Sequence, residues 1–90
     1  MSGISRTVIR DTIETMVAAR GADKTVCPSE VARALAGTDE KEWRKLMAPI
    51  RAEAIRLADE ARVEIRRKGR AVDPHAFKGI YRVGVARPSS

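Results

Sequence analysis

Ala61-Arg62-Val63-Glu64-Ile65-Arg66-Arg67-Lys68-Gly69-Arg70-Ala71-Val72 (residues 61–72) is where the chain changes period. Before it, apolar residues recur every three or four positions; within it they alternate. Val63 and Ile65 face one way, with Glu64 and Arg66 facing the other, as in a half-buried strand. Lys68-Gly69 suits a tight hairpin turn, because glycine takes a positive φ at no steric cost. Arg70-Ala71-Val72 then returns from the turn. A β-hairpin with a basic tip therefore follows a helical region.

Downstream, Asp73-Pro74 signals a turn. Tyr81, Val83 and Val85 alternate with Ile80, Arg82 and Gly84 and predict a further strand. The tail Arg87-Pro88-Ser89-Ser90 is expected to fray.

Upstream, residues 42–60 predict the main core helix. On a helical wheel Trp43, Leu46, Met47, Ile50, Ala54, Leu57 and Ala58 share one side, and Trp43 reads as a core anchor because a buried tryptophan supplies much apolar area. Asp39 and Glu42 have capping-box spacing at its start. Pro49 cannot bond to the Lys45 carbonyl, which predicts a kink or break there, with the proline on the outer side. Ile55 projects outward. Pro28 fits the first turn of a shorter helix ending at Gly37, in which Val31 and Leu35 face inward. Thr25-Val26-Cys27 reads as a short extended piece. The first helix runs from Ile4 to Arg20, with Ile4, Val8, Ile9, Ile13, Met16 and Val17 as its apolar stripe and Gly21 as its stop.

The order helix, short strand, helix, helix, hairpin predicts an α+β, mainly helical domain: a three-helix winged helix-turn-helix with a small C-terminal antiparallel hairpin or sheet. Residues 1–86 form this single domain. The Gly37–Lys41 turn is longer than the strict motif has, which leaves the angle between the second and third helices open.

The run Cys27-Pro28-Ser29-Glu30-Val31-Ala32-Arg33-Ala34-Leu35 and the segment Trp43-Arg44-Lys45-Leu46-Met47 carry a further signal. With Arg51, the turn Arg66-Arg67-Lys68-Gly69-Arg70, Asp73-Pro74 and Gly79-Ile80-Tyr81-Arg82, they make the chain resemble a bacterial family, domain of unknown function 3253. The resemblance runs over nearly the whole chain; it implies a winged-helix fold and no assigned activity. A glycine is expected near Glu60-Ala61 and is absent, so the third helix is expected to run on a residue or two.

The net charge is +6. Residues 1–36 hold five bases and four acids, 37–61 five and six, and 62–90 eight and two. The excess thus lies in the last third, which implies a local basic surface and suits a polyanionic partner. On the outer face of helix 42–60, Arg44 and Arg51 flank Ala48 and Ala52 on one side, and Lys45 and Arg56 on the other. Small residues let a helix enter a groove while the flanking cations reach phosphates or base edges. Asp59 and Glu53 dilute that face toward its end. At the tip of the wing (62–72), Arg66, Arg67, Lys68 and Arg70 are read as phosphate contacts. The sequence therefore points to a non-enzymatic domain binding duplex DNA, the alternative being an adaptor that meets an acidic protein.

Catalytic chemistry has little to stand on. Cys27 and His75 are the only cysteine and histidine, far apart in sequence and too few for a structural zinc site. No phosphate loop or serine elbow is present, so no cofactor or metal is expected. With one cysteine, no apolar run long enough for a membrane and no signal-peptide core, a cytoplasmic location is expected.

Overall fold

The computed structural model describes residues 4–86, so the expected fraying of residues 87–90 lies outside the described residues. The elements are α1 (Arg6–Arg20), β1 (Thr25–Val26), α2 (Pro28–Ala36), α3 (Glu40–Trp43), a 3₁₀ turn (Arg44–Leu46), α4 (Met47–Asp59), β2 (Val63–Arg67), β3 (Arg70–Ala71) and β4 (Arg82–Val85). The chain is α+β, and the strands form one antiparallel sheet in the order β1-β4-β2-β3.

Helix α1 begins two residues later than Ile4, because the Ser5 hydroxyl accepts from the Val8 amide and caps it there. Ile9, Ile13 and Val17 are buried, whereas Val8 is 46% exposed. The apolar stripe is therefore narrower than the sequence pattern, with Val8 on its flank. Pro28 opens α2, and the Glu30 carboxylate reaches back to the Cys27 amide at 2.8 Å. The reciprocal arrangement expected at Asp39 and Glu42 is replaced there by a bond from the Lys41 amide to Asp39, at 3.0 Å.

The expected long helix is broken where Pro49 withholds its N–H. The chain tightens to a 3₁₀ turn over Arg44–Leu46, and α4 restarts at Met47. The break splits the apolar face. Ile50, Ala54 and Leu57 are fully buried, while Trp43, Leu46, Met47 and Ala58 are only half-buried against the core. Trp43 is thus an edge residue and not a central anchor. Ile55, expected to point outward, also packs against the core.

Helix α4 does not run on, although no glycine stops it. Ala61 itself takes φ 60°, and the Arg62 amide bonds to the Leu57 carbonyl at 2.9 Å, which closes the helix in the manner of a Schellman cap. Val63 and Ile65 then enter the sheet opposite Val85 and Val83. Phe77, from the loop before β4, joins the core and packs on Tyr81 with ring centroids 5.1 Å apart. It is a core member that sequence periodicity misses, because it sits in a loop; Ala32, buried where Leu35 is only half-buried, is another.

Helices α1 and α4 are fastened by a buried carboxylate. Glu53 is 1% exposed and accepts from Arg6 Nε at 2.9 Å and from Arg56. Burial alone would raise its pKa, but the two guanidinium hydrogen bonds outweigh it and hold the value below the ordinary glutamate range.

Candidate nucleic-acid interface

The outer face of the α3–α4 segment carries its cations as the sequence implies, but not all of them are free. Arg44 pairs with Glu40, and Lys45 Nζ lies 3.4 Å from Glu42. These pairs are well exposed, worth a few tenths of a kcal/mol each, and open readily to another anion. Arg56 is committed to Glu53. Ala48 and Ala52 are exposed between them. Arg51 bonds through Nη2 to the Phe77 carbonyl at 3.2 Å, its guanidinium lying 4.4 Å from the Phe77 ring centroid. It therefore ties Phe77 to α4. A carbonyl and a ring leave its positive charge uncompensated.

At the hairpin, the Lys68-Gly69 turn forms as expected, with φ 53° and 80° at the two residues. Positive φ at both central positions is the two-residue hairpin geometry that favours Asn-Gly. Arg67 stands directly opposite Arg70 in the ladder. Arg67 also donates to the Ile80 carbonyl at 2.9 Å. Lys68 and Arg70 are exposed, and neither they nor Arg67 forms an ion pair among the described residues.

Arg66 is a correction. It is 4% exposed, with Nε on Glu64 at 2.9 Å and Nη2 on the Val85 carbonyl at 3.0 Å. Its guanidinium lies flat across Gly84, where a Cβ would come within 2.8 Å of Cζ. Alternation correctly puts Arg66 on the outer face of β2, but the missing side chain at Gly84 opens a slot into which it folds. The signal is a glycine one strand away in the register, which periodicity within β2 does not reveal. Arg66 is a structural residue of the sheet and not a phosphate contact.

The geometry adds one cation that the sequence pattern does not single out. Residues 77–80 are held on one side by Arg51 of α4 and on the other by Arg67 of β2. This brings exposed Lys78 between two arginines and next to the hairpin. Arg51, Lys78, Arg67, Lys68 and Arg70 thus lie on segments tied to one another, from α4 to the hairpin. Asp59, which dilutes the α4 face, is held by His75 Nε2 at 2.8 Å. His75 is engaged there and Cys27 Sγ contacts Ser29 Oγ at 3.1 Å, so the two are not assembled as a nucleophile and base. Among the described residues no cluster of three or more His, Cys, Asp or Glu side chains could hold a metal ion. No described helix is long and apolar enough to cross a membrane.

Comparison with curated proteins finds no match. The model of the family described as protein of unknown function (DUF3253) matches residues 6–86. That span takes in the helices and strands of the described residues, the basic hairpin and the Arg51-tethered loop, and the chain belongs to this family.

Proposed function

We propose that the protein is a winged helix-turn-helix domain that binds duplex nucleic acid through its phosphates, with α4 presented to the major groove. The wing is the β2–β3 hairpin together with residues 77–80. The element order supports this reading: β1, between the first two helices, pairs with β4 and so joins the sheet that carries the hairpin. Fold alone assigns no function; the hairpin tip supports this one.

The carrying observation is that the tip holds its cations at a cost. Lys68 occupies left-handed backbone, which an L side chain adopts at a penalty of roughly 1–2 kcal/mol. Arg67 and Arg70 oppose each other directly, and like charges in that position are destabilising. A turn selected for stability or solubility alone would carry Asn-Gly and mixed charges. Cations that are strained, mutually repelling and unpaired suit a surface completed by a polyanion. With Arg66 folded onto the sheet and Arg56 committed to Glu53, the phosphate contacts are Arg67, Lys68, Arg70 and Lys78 on the wing and Arg44, Lys45 and Arg51 on the helix side; no cofactor takes part.

Fluorescence anisotropy with a labelled mixed-sequence duplex tests this. The proposal expects binding at low salt that weakens as salt rises, by about 0.9 log units per log unit of salt for each phosphate neutralised. Absence of binding at low salt would overturn it in favour of an acidic protein partner for the same cations.

A further inference from the structure

Lys78, Gly79 and Ile80 form an exposed step between two buried aromatic residues. Phe77 and Tyr81 are each 7% exposed, and their ring centroids lie 5.1 Å apart. The chain thus leaves the interior at Phe77 and is back in it at Tyr81. Both ends of the step are also tied through the backbone. Arg51 Nη2 donates to the Phe77 carbonyl at 3.2 Å, and Arg67 Nε donates to the Ile80 carbonyl at 2.9 Å. Gly79 takes φ 82°, a left-handed angle that turns the chain there. The Arg67 guanidinium packs against it, with Nη2 3.3 Å from where a Cβ would stand.

What this support presents is an isoleucine. Ile80 is 86% exposed, against 46% for Val8, the other large apolar residue on the described surface. It borders an apolar cleft lined by Pro28, Trp43, Met47 and Tyr81, but that cleft does not shelter it. An isoleucine left in water forgoes most of the free energy that burial supplies. A lone exposed apolar side chain is ordinary; one held out on a loop that two arginines fasten by its carbonyls is not. Its surroundings are cationic. Lys78 is exposed just before Gly79, Arg67 lies against that glycine, and residues 74–86 contain no aspartate or glutamate. An apolar point among cations complements a duplex minor groove, which has phosphates along both walls and stacked base steps at its floor.

We propose that Ile80 is a wedge: while Arg67 and Lys78 meet phosphates, its side chain enters the minor groove, partly unstacks one base step and bends the duplex. This rests on the duplex-binding reading above and adds to it a residue that determines specificity. Steps that unstack easily, TA and CA/TG, are favoured beneath the wing. Inserted apolar side chains of this kind bend a duplex by about 20–90°.

The test follows energy transfer between dyes at the two ends of a short mixed-sequence duplex, with the full-length chain added at low salt. Transfer is expected to rise when the wild type binds, to stay near its free-duplex value when Ile80→Ala binds, and to rise again with Ile80→Leu. The slope of log K against log salt should be the same for all three, since no charge is removed. A duplex with one central mismatch is easier to unstack, and the wild type should bind it at least about tenfold more tightly than the matched duplex. Ile80→Ala should lose that preference. Because the side chain is exposed, truncating it leaves the core intact. A wild-type complex that does not bend its duplex, or a bend that Ile80→Ala retains, would overturn the wedge and leave the phosphate contacts standing. Failure of the wild type to bind either duplex at low salt would instead overturn the reading beneath it.

Discussion

Ala61 and Lys68 are the two non-glycine residues with positive φ among the described residues, and they differ in meaning. Ala61 ends α4 at a position where glycine normally serves, and its methyl group does nothing else there. Ala61→Gly should therefore raise stability by about 0.5–1 kcal/mol, the relief of left-handed strain exceeding the added freedom of the unfolded chain, as measured by urea denaturation. Lys68 bears the same kind of strain while displaying a charge. Gly84 shows the opposite dependence, on space rather than on backbone angle. A Cβ there would collide with the Arg66 guanidinium, which is enclosed and hydrogen-bonded at both ends. Gly84→Ala should cost about 1–3 kcal/mol in the wild type and distinctly less when Arg66 is already alanine. Equal cost in both backgrounds would show that the two residues are not coupled.

Helix α4 is held to α1 through Glu53, and this contact sets the acid limit of the fold. Its folded pKa lies below the ordinary value of 4.5, so the ionised carboxylate contributes stability above that pH, and the contribution disappears as pH falls through the folded value. Thermal midpoints should drop on acidification below about pH 4.5, and Glu53→Gln should reduce that dependence. It will not abolish it, because Glu30, bonded by the Cys27 amide, and Glu60, bonded by Arg10, are shifted the same way. The Arg6→Ala/Arg56→Ala pair should cost more than Glu53→Gln, about 2–3 kcal/mol against about 1 kcal/mol, since it leaves a buried charge with only Arg10, at 3.9 Å, whereas the glutamine leaves largely exposed arginines in water. At this scale the sequence is legible where a rule is local. The proline at the start of α2, the break before Pro49, the hairpin turn and the strand alternation all depend on a few adjacent residues. What is not legible depends on partners distant in the chain. Glu53 reads as a surface acid until Arg6 is brought across from α1, and Phe77 reads as loop until Arg51 ties it to α4. Arg66 reads as a wing cation until Gly84 is placed beside it.

Over the whole molecule the ion pairs sort the charge. Glu14, Glu53 and Glu60 are engaged by Arg6, Arg10, Arg56 and Arg62 where α1 meets α4 and the start of the sheet. Glu30 is engaged by Arg20. The excess of bases is therefore not spread evenly: Arg62, Arg66 and Arg82 are drawn into such pairs, and among the described residues from 62 onward what is left lies on the hairpin and at Lys78. Composition supplies the surplus, and the tertiary pairing decides which cations remain for a partner. Under the proposed winged-helix reading these are the ones that meet phosphate. The direct measurement is the salt dependence of duplex affinity for the wild type and for the Lys68→Ala/Arg70→Ala/Lys78→Ala variant. If all three side chains meet phosphate, the slope of log K against log salt should fall by about 2.7, at about 0.9 for each phosphate no longer neutralised. An unchanged slope in a variant that remains folded would contradict the account.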